Sequence, residues 1–244
     1  FTAGANTGLA AIVTAILIAF TLAFRTPLFH YLPKAALAAI IVVAVSGLVD
    51  FRSLFRTWRY NGLDGFSQLA TFAAVLALGI EIGIMLGAAL SIAFYLWRTS
   101  RPHMAIVGRV GETEHFRNIL RHDVKTLPHV LALRVDENLY FANTRFLEDR
   151  LLAAVADQPR IKHLVLICSA INFIDASALE SLENTVRALS EAGVTVHLAE
   201  VKGPVMDKLE KTDFLGHLGA GEVFLSTHDA LAKLEKPLDP GPVI

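Results

Sequence analysis

Two patterns of apolar and polar positions divide this 244-residue chain. In the first hundred residues the apolar positions form long, nearly unbroken runs. Leu9–Phe24 and Ala35–Val49 contain no charged side chain, and Phe66–Leu78 and Ile82–Trp97 are parted only by Gly79-Ile80-Glu81. Each run is about 13 to 17 residues, below the roughly 20 that cross a bilayer upright, and flanking Thr, Ser, Gly and aromatic residues lengthen it. A helix buried in a large soluble protein is the alternative. Four such runs in 100 residues, almost without a polar face, favour lipid. The runs predict membrane helices over about 9–25, 34–50, 65–79 and 82–98, in a transmembrane domain spanning residues 1–99.

Beyond Arg101 the apolar runs shorten and alternate between two periods. Val130–Val135 reads as a strand, Leu139–Phe141 as a second short one, and Thr144–Val155 as a helix. His163–Ile167 suits a buried strand. Ser177–Ala192 is an amphipathic helix ending at Gly193, the expected residue just past a helix C-terminus. Thr195–Ala199 is another strand. Gly203-Pro204 opens a helix with proline in its first turn, extending to about Thr212. Val223–Leu225 closes the strands, and Ser226 caps a final helix through Leu234. Strands alternating with helices predict an α/β domain over 100–235 with a partly parallel sheet. The Pro-rich tail 236–244 reads as disordered.

Charge supports the same division. Residues 1–100 carry nine charged side chains: Arg25, Lys34, Asp50, Arg52, Arg56, Arg59, Asp64, Glu81 and Arg98. The remainder of the chain carries 36, a normal density for a water-exposed domain. Arg52, Arg56 and Arg59 fall between the second and third runs, and Arg98 and Arg101 follow the fourth. The excess of positive charge near membrane ends places both stretches in the cytosol, where these arginines set topology and meet lipid head groups. Trp58, Tyr60, Tyr95 and Trp97 lie near the same ends, a favoured depth for amphipathic rings. Gly79, Gly83, Gly87 and Ser91 form a small-residue stripe at four-residue spacing, which permits close helix packing. A single cysteine, Cys168, excludes an intrachain disulfide and reads as a small buried residue. The chain opens at Phe1 in an apolar segment without a signal-peptide pattern, as expected of a fragment.

Several stretches together carry a family resemblance. In the soluble part they are Arg101-Pro102-His103 with Gly108, Thr113–Asn118, Arg134–Asn143, Asn172–Leu179, Val201–Val205 and Thr227–Leu231. In the membrane part they are Ala3–Gly8, Tyr31-Leu32-Pro33 and Glu81–Ile84. In this order, directly after a hydrophobic domain, they resemble the sulfate permease (SulP) family of anion transporters with its C-terminal STAS domain. Asn6 stands where many members have arginine. The resemblance implies fourteen helices in two inverted repeats of seven, of which the four runs are the last four. It also implies an anion site between two half-helices whose N-terminal dipoles face each other. Those half-helices are expected upstream of Phe1, so no substrate-binding residue is expected in this chain.

The implied function is secondary active transport of sulfate, bicarbonate, chloride or a dicarboxylate, in a multi-pass protein of the bacterial inner membrane. The STAS domain is then cytoplasmic, with a homodimer and a cytosolic protein as partners beside the lipid bilayer and the anion. No cofactor, catalytic residue or nucleic-acid partner is expected. A membrane-anchored STAS regulator without transport is the alternative.

Ser177 and Asp175 are the candidate regulatory residues. In related STAS domains, anti-sigma factor antagonists, a serine in an Asp-Ser-Ser-Gly motif is phosphorylated, and Ser177 of Asp175-Ala176-Ser177-Ala178 aligns with it. A phosphate there would sit at a helix N-terminus. The structural reading of the same residues is a capping box, with Ser177 as N-cap and Glu180 reaching back, and with Asp175 as a second capping or bracing group. Glu81 is a candidate for ion coupling because it is ionisable near membrane depth. Its place in a short turn reads instead as a helix end at the outer interface. The histidines match no metal-binding spacing and read as surface or strand-edge residues.

Overall fold

The structure, a computed structural model, describes residues 8–29, 33–46 and 50–235. It divides into two compact units, Phe1–Gly87 and Ala88–Ile244. The expected motif at Ala3–Thr7, Tyr31-Leu32 and the tail from Lys236 lie outside the described residues.

The first unit is helical. It contains α1 (Gly8–Phe29), α2 (Lys34–Ser46), α3 (Phe51–Tyr60), α4 (Gly62–Leu78) and the start of α5 (Ile80–Thr99). Of the described helices, α5 is long and apolar enough to cross a membrane, and Gly8–Phe24, Lys34–Val43 and Gly62–Leu78 are shorter apolar helices. Their side chains leave a large apolar surface, including Leu9, Ile12, Ile16, Ile40 and Ile41. Such a surface is unfavourable in water and natural against lipid or other helices.

Two local features refine the sequence expectation. The stretch holding Arg52, Arg56 and Arg59, between the second and third runs, is itself a helix, α3. Asp50 caps it, accepting from the Ser53 amide at 3.1 Å. Glu81 lies in the first turn of α5, at a helix end, with the turn itself reduced to Gly79. Gly79 alone separates α4 from α5, at φ 92°, a conformation that costs other residues. Its amide donates to the Val75 carbonyl at 3.1 Å, and its carbonyl accepts from Gly83 at 3.0 Å.

The small-residue stripe then explains the hairpin. A Cβ built on Gly83 would stand 2.5 Å from the Val75 Cα, and one on Gly87 would collide with the Thr71 hydroxyl. At those two levels the helices meet with almost no side chain between them.

The second unit is a six-stranded sheet in the order β2-β1-β3-β4-β5-β6. The strands are β1 (Met104–Arg109), β2 (Phe116–Asn118), β3 (Val130–Val135), β4 (His163–Ile167), β5 (Thr195–Ala199) and β6 (Val223–Phe224). β3 to β6 are parallel, and β1 is antiparallel to both β2 and β3. The parallel part was legible as alternating strands and helices. β1 and β2 were not, because β1 follows directly on the last apolar helix and β2 has three residues. Leu139–Phe141 makes a single bridge, Leu139 to Ile174, in place of a strand.

Helices α6 (Thr144–Ala156), α7 (Ala176–Glu191), α8 (Gly203–Leu209) and α9 (Phe214–His217) join the strands, and α10 (Thr227–Glu235) follows β6. One core lies between the sheet and α6, α7 and α8, with Leu131, Leu147, Leu164, Leu182, Leu198 and Phe214 at its centre. A smaller core on the other face gathers Val107, Val165, Ile167 and Ala199 around Ala230 of α10. Burial of both faces accounts for the continuous apolar run of β4.

Candidate regulatory site

The site is built where the loop after β3 meets the loop before α7. The α7 N-cap is Asp175, whose Oδ1 accepts from the Ala178 amide at 2.8 Å. This corrects the expected capping box. Ser177 is a helical residue in the first turn, exposed to solvent, and its hydroxyl is not used for the cap. The reason is geometric. The extended backbone required of an N-cap falls at Asp175 (φ −86°, ψ 172°), two residues before the serine.

The second oxygen of Asp175 reaches outside the helix and accepts from the Phe141 amide at 2.9 Å. Backbone bonds run alongside, from Leu139 N–H to the Phe173 carbonyl at 3.0 Å and from Asp175 N–H to the Leu139 carbonyl at 3.1 Å. Asn138 adds a side-chain link, its Oδ1 accepting from the Asn172 amide at 2.8 Å. Lys202 Nζ, from the loop after β5, donates to Asn172 Oδ1 at 2.5 Å. Three loops that follow parallel strands are thus tied together, the end of such a sheet at which α/β folds gather their functional groups.

Asn143 anchors the first of these loops from below. It is fully buried, accepts from the Tyr140 amide at 3.0 Å, and donates to the carbonyls of Asn138 at 2.8 Å and Thr99 at 3.3 Å. The hydroxyls of Thr99 and Tyr140 also bond each other. The last residue of α5 is therefore joined to the loop that Asp175 braces. Sequence reasoning assigned no role to Asn138, Asn143 or Lys202. The signal available was two asparagines within six residues of a supposed strand, a composition that favours side-chain-stabilised turns.

The rim of the site mixes aromatic and basic groups. Phe141 is 66% and Phe173 44% exposed, and Lys208 Nζ lies 4.9 Å from the centre of the Phe173 ring. The N-terminal dipole of α7 favours negative charge at Ser177, in its first turn, while Asp175 opposes it.

At the nearby end of β3, Arg134 donates to Asp136 Oδ1 at 2.5 Å and to Oδ2 at 3.1 Å, and His103 Nδ1 lies 2.7 Å from Oδ2. Burial works against ionisation of Asp136, but the bonds and charges of Arg134 and His103 outweigh it and keep the carboxyl below its usual range.

Other sequence candidates fall elsewhere. Cys168 is buried, and desolvation pushes its thiol up to about 12, so it stays a neutral thiol. Among the described residues no group of three metal-ligating side chains converges. His197, however, is not at a surface or strand edge. It lies in the interior strand β5, 3% exposed, with Nε2 3.1 Å from His163 Nδ1 and with Nδ1 accepting from the Glu222 amide at 3.1 Å. It fits there because the backbone amide of Glu222 and the His163 ring satisfy both of its nitrogens.

A helical apolar unit and a STAS-like mixed sheet together define a membrane protein with an attached α/β domain. Residues 1–71 match the sulfate permease family, and residues 121–230 match the STAS domain. The chain belongs to the sulfate permease family and carries its STAS domain.

Sulfate transporter 1.1 of Arabidopsis thaliana is 33% identical over 95% of this chain, and high affinity sulfate transporter 2 of Stylosanthes hamata is 31% identical over 95%. The chain spans 37% of the length of each. Its fold matches the murine Slc26a9 anion transporter in the inward-facing state, with a TM-score of 0.80 over 96% of this chain and 38% of that one, at 21% identity.

Proposed function

We propose that this chain is the C-terminal portion of a secondary active transporter of inorganic anions, sulfate foremost, whose STAS domain is regulatory. The observation that carries this reading is the passage from a sulfate-permease segment into a STAS domain, in a chain aligned over 95% of its length with named sulfate transporters. The arginines of α3 and the Arg98–Arg101 segment support a cytoplasmic STAS domain in a cell (inner) membrane. The compact STAS domain supports a bacterial source.

In the intact protein α2 to α5 form part of the scaffold against which the anion-carrying helices move, and they carry the contacts of a homodimer. Residues 1–99 and 100–235 act as its membrane and regulatory domains. Glu81, exposed in the first turn of α5, complements the helix dipole at the outer interface, and its alternative role is ion coupling.

Ser177 is the regulatory position in this proposal. Because Asp175 supplies the cap, the Ser177 hydroxyl remains accessible for phosphorylation, and the surrounding Phe141, Phe173, Lys202 and Lys208 form a surface for a cytosolic partner. Phosphate at Ser177 would add negative charge next to Asp175 and loosen its hold on the Phe141 amide.

The test is uptake of labelled sulfate, bicarbonate and succinate into proteoliposomes by the gene product extended to its natural start. Saturable uptake of one anion is expected. Its absence for all three, in folded and correctly oriented protein, would overturn transport in favour of a membrane-anchored STAS regulator.

A further inference from the structure

Helix α3 carries its three arginines as a row. Arg52, Arg56 and Arg59 recur at i, i+4 and i+7, which is one face of a helix, while Leu54 and Trp58 lie on another. All three arginines are exposed, and among the described residues none takes part in an ion pair. The two carboxylates nearest to them in sequence are engaged locally. Asp50 accepts from the Ser53 amide, and Asp64 accepts from Asn61 Nδ2 at 2.9 Å.

The position of α3 is set by its junction with α4. Asn61 is the sole residue between the two helices. Its amide donates to the Thr57 carbonyl at 2.8 Å, closing α3, and its Oδ1 accepts from the Leu63 amide at 3.1 Å, opening α4. Gly65 is buried against α3, where a Cβ would stand 2.8 Å from both the Trp58 Cα and its ring. The glycine therefore lets α3 fold back onto α4 at close range. A short amphipathic helix fixed to the end of an apolar helix, with one aromatic at the junction and a cationic row exposed, has the anatomy of an element lying in a membrane–water interface.

We infer that α3 lies at the membrane surface and that Arg52, Arg56 and Arg59 bind the head groups of anionic phospholipids. Guanidinium groups suit this ligand because they match phosphate with paired N–H donors. Among the described residues the row also lacks carboxylate partners that would neutralise it. The inference rests on the membrane reading of α4. It turns the general head-group contact expected of these arginines into a site with a preference for anionic lipid, built on one helix face.

The test places an environment-sensitive fluorophore on Tyr60→Cys in the full protein in nanodiscs. Tyr60 is 92% exposed, so the label displaces little packing. Identically treated protein without the added cysteine gives the background. Quenching is compared between brominated phosphatidylglycerol and brominated phosphatidylcholine at equal mole fraction. The expected result is several-fold stronger quenching by the anionic lipid, falling at high salt as screening shortens the reach of the charges. R52Q/R56Q/R59Q should abolish the preference and R52K/R56K/R59K should keep most of it.

Equal quenching by the two lipids in the unsubstituted protein would overturn the inference, as would a preference that survives high salt or the glutamine variant. Quenching by neither lipid would also overturn it and transfer the arginines to a soluble acidic partner. These outcomes are independent of uptake, so the lipid site and the transport reading can fail separately.

Discussion

Asp175 and Phe141 are 34 residues apart in the chain, yet one carboxylate oxygen of Asp175 accepts the Phe141 amide at 2.9 Å while the other caps α7. One side chain thus starts a helix and braces a separate loop, and substitutions can part the two duties. Asp175→Asn can keep an oxygen on the Ala178 amide but must turn its NH2 toward the Phe141 N–H, donor against donor. Asp175→Ala removes both bonds. We expect the alanine variant to lose about 1–2 kcal/mol from the cap, with a further loss from the bared Phe141 amide. The asparagine variant should lose less overall but show faster amide exchange across 139–143. Equal exchange in that loop for the Asp175→Asn variant and the wild-type protein would contradict the bracing role.

The α4–α5 hairpin makes a sharper steric prediction. Gly83→Ala places its Cβ 2.5 Å from the Val75 Cα, a backbone atom that cannot move aside without separating the helices. The expected destabilisation is about 1–3 kcal/mol, the usual range for overpacking. Gly62→Ala is the control, since a Cβ there meets nothing within 4 Å. Thermal unfolding of the detergent-solubilised protein should place Gly83→Ala well below Gly62→Ala. Matching midpoints would refute close packing at Gly83.

The readable features were those in which one physical pattern persists over many residues. Uncharged runs marked the apolar helices, and the alternation of His163–Ile167, Ser177–Ala192 and Thr195–Ala199 marked the parallel core. Gly193 and Ser226 marked helix ends through their particular chemistry. The structure has Gly193 at φ 79° and Ser226 in reciprocal bonds with Asp229.

Features decided by partners distant in sequence were not readable. Ser177 and Asp175 are both good N-caps, and local sequence did not choose between them. The extended backbone falls at Asp175, whose second oxygen meets the Phe141 amide of another loop. The arginines of α3 were read through their charge alone. The helix became apparent only with Asp50 and Asn61 as caps and with Gly65 admitting Trp58. His197 looked like an exposed strand residue because its satisfying partners, His163 and Glu222, come from β4 and the turn before β6.

Asn143 gives a prediction about buried polarity. Its amide group joins the Tyr140 amide and the Asn138 and Thr99 carbonyls at a position with 0% exposure. Asn143→Ala leaves those three backbone groups without this partner, and each unsatisfied buried group costs about 1–3 kcal/mol. Asn143→Asp retains the size but sets a carboxylate against two carbonyl oxygens. We expect both to destabilise the 138–143 loop, with the aspartate at least as damaging at neutral pH despite being nearly isosteric. Hydrogen exchange at Tyr140 and Leu147 would show it. A tolerated aspartate would mean that the Thr99 and Asn138 contacts contribute little.

The His163–His197 pair predicts a specific response to acid. Because His197 Nδ1 accepts from the Glu222 amide, its proton resides on Nε2 and is donated to His163 Nδ1. A second proton on His197 would oppose two N–H groups at Nδ1. Desolvation by burial, aided by the neighbouring His163, lowers its pKa from 6.5 to about 4, with Lys233 acting in the same direction and Glu222 against it. His163 is lowered as well, by burial and by the charges of His129 and Lys162.

The sign of the effect follows from these shifts. The unfolded chain takes up a proton near pH 6.5, whereas folded His197 does so only near pH 4. Its contribution to stability is therefore complete above pH 6.5, is lost progressively as pH falls to about 4, and is on the order of 3 kcal/mol in all. Asp136, whose pKa is lowered from 3.8, acts only at still lower pH, so the two windows are separable. His197→Gln retains an acceptor for the Glu222 amide but cannot titrate. Exchange of the β5 amides, followed from pH 7 to pH 4, should accelerate steeply in wild-type protein after correction for intrinsic rates, and much less in the glutamine variant. An unchanged acid slope in His197→Gln would assign the sensitivity to other groups.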